Sequence, residues 1–141
     1  MATKFDNESY IDIRDVTDRV DELRSERDEF TIPHPDGGEV EAPEEWAGLN
    51  PEDAEELADL EALLSELEGN GGDHEWEGAW YPGQMIADYE FVSYVQDLVS
   101  DIGDMPRDIP SYIEIDWEAT ARNVRMDYCS VDFDGREYWF R

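Results

Sequence analysis

Residues 50–69 read NPEDAEELADLEALLSELEG. Asn50 is a strong helix N-cap type, and Pro51 suits the first helical position, where a backbone N–H is dispensable. Glu52 and Asp53 fall in the first turn, where the helix dipole favours negative charge. Leu57, Leu60, Leu64 and Leu67 recur at spacings of 3, 4 and 3, so they share one face. Gly69 suits the left-handed conformation that ends a helix. On a helical wheel Glu52, Glu55, Asp59 and Glu66 lie opposite the leucines. Glu56, Glu61 and Glu68 fall nearer the boundary. The stretch is therefore an amphipathic helix with a leucine face and a carboxylate face.

The second decisive stretch, residues 128–140, reads YCSVDFDGREYWF. Asp134-Gly135 is a two-residue type I′ turn signal. Pairing across it sets Phe133 opposite Arg136, Val131 opposite Tyr138 and Cys129 opposite Phe140. The apolar side is then Cys129, Val131, Tyr138 and Phe140, with Cys129 expected as a small core residue. The fold class is α+β: three to four helices with a C-terminal two-stranded hairpin.

Outward from these anchors, Tyr10 to Phe30 reads as one helix, with Ile13, Val16, Val20, Leu23 and Phe30 on its stripe. Residues 31–50, carrying Pro33, Pro35, Gly37, Gly38 and Pro43, read as a long loop. Residues 73–83 stay open between loop and strand. A further helix is expected from Asp88 to Ile102, with Gly103 as its cap and a connector from Met105 to Ser111. Tyr112–Ile115 reads as a short strand. Asp116 then caps a helix over Trp117–Met126. The expected organisation is a helical segment at 1–30, a loop at 31–50 and an acidic α+β domain at 51–141.

Charge sets this chain apart. Its 141 residues hold 39 Asp and Glu against 10 Lys and Arg, a formal net charge of -29. No Lys or Arg occurs between Arg27 and Arg107, a stretch with 23 acidic residues. The flanks on either side net only -3 each. Direct binding to nucleic acid is excluded, because phosphate contacts need Lys and Arg. An anionic membrane surface is equally unfavourable. No run approaches the apolar length of a membrane span, and the opening residues lack the pattern of a signal peptide. A cytoplasmic protein is expected.

Motifs for chemistry are missing. His34 and His74 lie in expected loops, away from any metal-ligand spacing. One cysteine leaves no internal disulfide. No phosphate-binding glycine loop is present. Asp132-x-Asp134-Gly135 reads as turn chemistry rather than a calcium loop. No enzyme activity and no cofactor are expected.

Dense carboxylates on rigid helices reproduce the charge field of duplex DNA, which carries about one negative charge per 1.7 Å of axis. A positively charged DNA-binding protein would meet much the same field. Three readings of the charge stay open on composition: DNA mimicry, a generic or halophilic acidic protein, and an acidic binding module or calcium buffer. For the first, the candidate contacts are Glu44 and Glu45, then Glu52, Glu55, Glu56, Asp59 and Glu66, then Asp73, Glu75 and Glu77.

Residues 112–128, YIEIDWEATARNVRMDY, add a resemblance. They are similar to the closing segment of ArdA-type antirestriction proteins, in which a short Tyr-Ile-Asp-aromatic start leads into a helix with an Ala or Gly-Arg pair and a terminal hairpin. The helix ending in Asp101-Ile102-Gly103 is also similar, so the resemblance spans about 85–141. It implies an acidic DNA mimic of phage or mobile-element origin that inhibits a restriction-modification enzyme, and a homodimer. A CRISPR effector as target would use the same electrostatics.

Overall fold

The computed structural model describes Phe5, residues 8–102 and residues 110–141. In chain order its elements are β1 (Tyr10–Asp12), α1 (Ile13–Asp28), β2 (Thr31–Pro33), β3 (Glu39–Glu41), α2 (Pro43–Leu49) and α3 (Pro51–Leu67). There follow β4 (His74–Trp76), β5 (Ala79–Tyr81), β6 (Gln84–Ala87), a 3-10 turn (Asp88–Glu90), α4 (Phe91–Asp101), α5 (Trp117–Arg125), β7 (Cys129–Phe133) and β8 (Arg136–Phe140). The chain is mixed α+β, with five α-helices among the described residues rather than three to four. The expected cap at Gly103 and most of the connector after it lie outside those residues.

Four antiparallel strands in the order β1-β6-β8-β7 form the central sheet. The period-two alternation of strands gives it two apolar faces. Ile11, Met85, Tyr138, Phe140, Val131 and Phe133 join the stripe of α1 and the leucines of α3 in the larger core. Ile86 and Trp139 point the other way, against Phe91 and Val95 of α4 and Ala121 of α5. The sheet is thus sandwiched between α1–α3 and α4–α5. Two small hairpins, β2–β3 and β4–β5, lie outside it.

The C-terminal hairpin has the expected register: Phe133 faces Arg136, Val131 faces Tyr138 and Cys129 faces Phe140. Its turn residues Asp134 and Gly135 both have positive φ, as a type I′ turn requires. Cys129 corrects the expectation of a core residue, because it is exposed although its cross-strand partner Phe140 is buried.

Other expectations change for physical reasons. Tyr10–Asp12 is the edge strand β1, not the first turn of α1, because Ile11 gains full burial opposite Met85. Asp12 then caps α1 through its carboxylate, which accepts the Arg14 N–H at 2.9 Å. Within the expected helical segment, Tyr10–Asp12 thus belong to the main sheet and Ile13–Asp28 to α1. The expected loop at 31–50 folds as the β2–β3 hairpin and helix α2, which buries Trp46 against the core. Tyr112–Ile115 forms no strand; Tyr112 is 84% exposed, with no strand beside it among the described residues.

Candidate functional site

The acidic surface begins with where the arginines go. Arg14, Arg19, Arg24, Arg27 and Arg125 each form an ion pair within the chain. Two of them stitch α1 to its neighbours. Arg19 binds Glu56 of α3 through Nε and Nη2, at 3.2 and 2.8 Å, and also pairs with Glu22. Arg24 donates to Glu61 of α3 at 2.7 Å and to Glu77, in the β4–β5 turn, at 2.9 Å. The hydrogen bond to Glu56 raises the Arg19 pKa. For Arg24, burial opposes protonation, but hydrogen bonds to Glu61 and Glu77 outweigh it and raise the pKa. Each arginine is shared between carboxylates, so the charge of the seam is partly neutralised.

Glu52, Glu55 and Glu66 are exposed on the outer face of α3, with Asp59 half-buried among them. None of the four is in an ion pair among the described residues. From Glu52 to Glu66 the helix rises about 21 Å, over which one DNA strand advances about six phosphates. Glu44 and Glu45 extend this surface from the first turn of α2, which packs on α3. There they also complement the helix dipole.

The remaining candidates separate. Glu56 corrects the expected exposed set: it is 6% exposed and bound to Arg19, so it serves the seam. Glu77 is committed to Arg24. Asp73 lines a different opening, a cleft of about 760 Å³ shared with Arg14, Gln84, Tyr94, Tyr128 and Arg141. Inside it the Tyr94 and Tyr128 hydroxyls are 2.9 Å apart, and burial followed by this hydrogen bond pushes the Tyr94 phenol up. Glu75 stays exposed on the outer face of β4, opposite Trp80.

Sequence reading missed two carboxylates. Asp132 and Asp134 meet Asp59 and Glu66 around a cleft of about 340 Å³ whose apolar wall includes Leu63 and Phe133. Some seventy residues separate the two halves, and no local pattern links them. His74 is also not an exposed loop histidine. It sits half-buried on β4, its Nε2 2.9 Å from the hydroxyl of buried Thr17. Among the described residues, no group of three or more His, Cys, Asp or Glu is arranged to hold a metal ion. No helix there is long and apolar enough to cross a membrane.

The acidic excess is larger in the first part of the chain. Residues 1–87, which supply α1–α3 and both small hairpins, hold 26 acidic and five basic residues. Residues 88–141 hold 13 and five. No protein-family model, curated protein or solved structure matches the chain.

Proposed function

We propose that this protein is a DNA mimic that occupies the basic DNA-binding cleft of a host defence complex. The target is a restriction-modification enzyme or a CRISPR effector, and the action is competitive rather than catalytic. One observation carries the reading: among the described residues the outer carboxylates of α2 and α3 stand without ion-pair partners, while neighbouring arginines are drawn into the seam beneath them. On this reading they act together as one negative surface carried by helices. Its cost in like-charge repulsion is small per exposed pair, about 1 kcal/mol or less. The similarity of residues 112–128 to ArdA-type proteins favours a restriction enzyme as the target.

The run without Lys or Arg between Arg27 and Arg107, against nearly balanced flanks, argues against acidity that serves solubility alone, which would spread over the whole exterior. The deciding experiment titrates the protein into restriction and CRISPR complexes loaded with fluorescent duplex DNA, over a salt series. Displacement at low salt that weakens steeply with added salt is expected. Absence of displacement from every such complex at low salt would overturn the reading.

A further inference from the structure

We infer that the outer face of the β4–β5 hairpin, Trp80 with Glu75 across from it, is an anchor for an arginine of the protein partner. The inference rests on the reading of this surface as one that meets a cationic protein, and it names the side chain that is gripped.

The hairpin has two faces. His74, Trp76, Ala79 and Tyr81 turn inward, while Glu75 and Trp80, directly paired across the strands, turn outward. On the inner face the guanidinium of Arg24 lies 5.1 Å from the Trp76 ring centre and forks to Glu61 and Glu77. The same association recurs on the far side of the sheet. There Arg125 lies over Phe91 and Trp139, at 4.7 and 5.6 Å, and pairs with Asp88 at 3.3 Å. Indole, carboxylate and guanidinium thus come together twice within the chain. The outer face of β4–β5 offers the indole and the carboxylate a third time. No hydrogen bond, ring contact or cation engages the Trp80 side chain among the described residues, and it is 49% exposed.

The platform is rigid. The Trp80 carbonyl accepts the Gly69 N–H at 2.9 Å, which ties β5 to the end of α3. Arg24 holds the turn at Glu77, and His74 meets Thr17 of α1. A large aromatic displayed on a preorganised edge within a negative surface is the usual form of an interface hot spot. Arginine fits better than lysine, because its flat guanidinium stacks on the ring while its N–H groups reach a carboxylate.

The test uses two labelled peptides of equal length, oligo-arginine and oligo-lysine, titrated into the full chain at matched ionic strength. The wild type is expected to prefer arginine by about fivefold. Trp80→Leu, which keeps apolar bulk but removes the π face, should bring the ratio close to one. Trp80→Phe should retain part of it, and Glu75→Gln should lower it. Neutralising Glu52, Glu55 and Glu66 should weaken both peptides and leave the ratio unchanged. An equal affinity of the wild type for both peptides, or an unchanged ratio in folded Trp80→Leu, overturns the anchor. Displacement of DNA from a defence complex by wild type and Trp80→Leu alike sinks the anchor and leaves the mimic. A Trp80-dependent arginine preference without any DNA displacement does the reverse.

Discussion

Arg19 and Glu56 form a two-pronged ion pair across the α1–α3 seam, with Nη2 to Oε1 at 2.8 Å and Nε to Oε2 at 3.2 Å. Glu56 is buried, so the pair works where solvent screening is weak. Glu56→Ala leaves Arg19 with Glu22 and Asp53, and should cost about 2–3 kcal/mol. Arg19→Met removes both guanidinium hydrogen bonds that buried Glu56 accepts, and should cost about 3 kcal/mol or more. The double variant Arg19→Met, Glu56→Leu should recover much of the loss. Urea melts of the three variants measure this; a double variant as unstable as the sum of the singles would show that the seam does not act as a pair.

The outer carboxylates should behave in the opposite way. Changing Glu44, Glu45, Glu52, Glu55 and Glu66 together to Gln removes repulsion and, among the described residues, no ion pair. The melting temperature should stay the same or rise, while binding to a basic partner falls steeply. Any single Glu→Gln should change binding by less than about 1 kcal/mol. A single neutralisation that abolishes binding would sink the distributed surface.

Asp12 links stability to pH. Its hydrogen bond from the Arg14 side chain, reinforced by the cap to the Arg14 N–H, holds its carboxyl below the usual range despite some burial. A depressed folded-state pKa contributes stability above the unfolded-state value of about 3.9. That contribution is lost as pH falls through the lower folded value. Asp12→Ala should therefore cost about 1 kcal/mol at neutral pH, through the lost cap, and progressively less as the pH drops below 4. Chemical melts of both proteins at pH 7 and pH 3 check this; a penalty that grows on acidification would contradict it.

Two glycines at the end of α3 should separate sharply. Gly69 and Gly71 both have positive φ, +83° and +73°. A Cβ on Gly69 would meet open space, so Gly69→Ala should cost about 1 kcal/mol. A Cβ on Gly71 would sit 2.6 Å from the Pro82 Cα and 3.0 Å from the Arg141 carbonyl oxygen, both backbone atoms that cannot swing away. Gly71→Ala should be clearly the more destabilising of the two in thermal denaturation; equal shifts would contradict the close approach.

What the sequence determined lies in local rules. Pro51 opens α3, its leucines fix the buried face, and Asp134-Gly135 fixes the hairpin register, because caps, helical periodicity and turn chemistry act within a few residues. The acidic back of α3 follows from the same periodicity. The tertiary structure alone decided the rest. Three residues such as Tyr10–Asp12 carry too little pattern to outweigh the helix after them, and only pairing with β6 makes them a strand. The helical wheel puts Glu56 only near the edge of the leucine face, and it is Arg19, 37 residues away, that takes it into the seam while Glu55 faces water. The closure of Asp59 and Glu66 on Asp132 and Asp134 likewise depends on α3 packing beside β7, a contact between distant parts of the chain that no local spacing encodes.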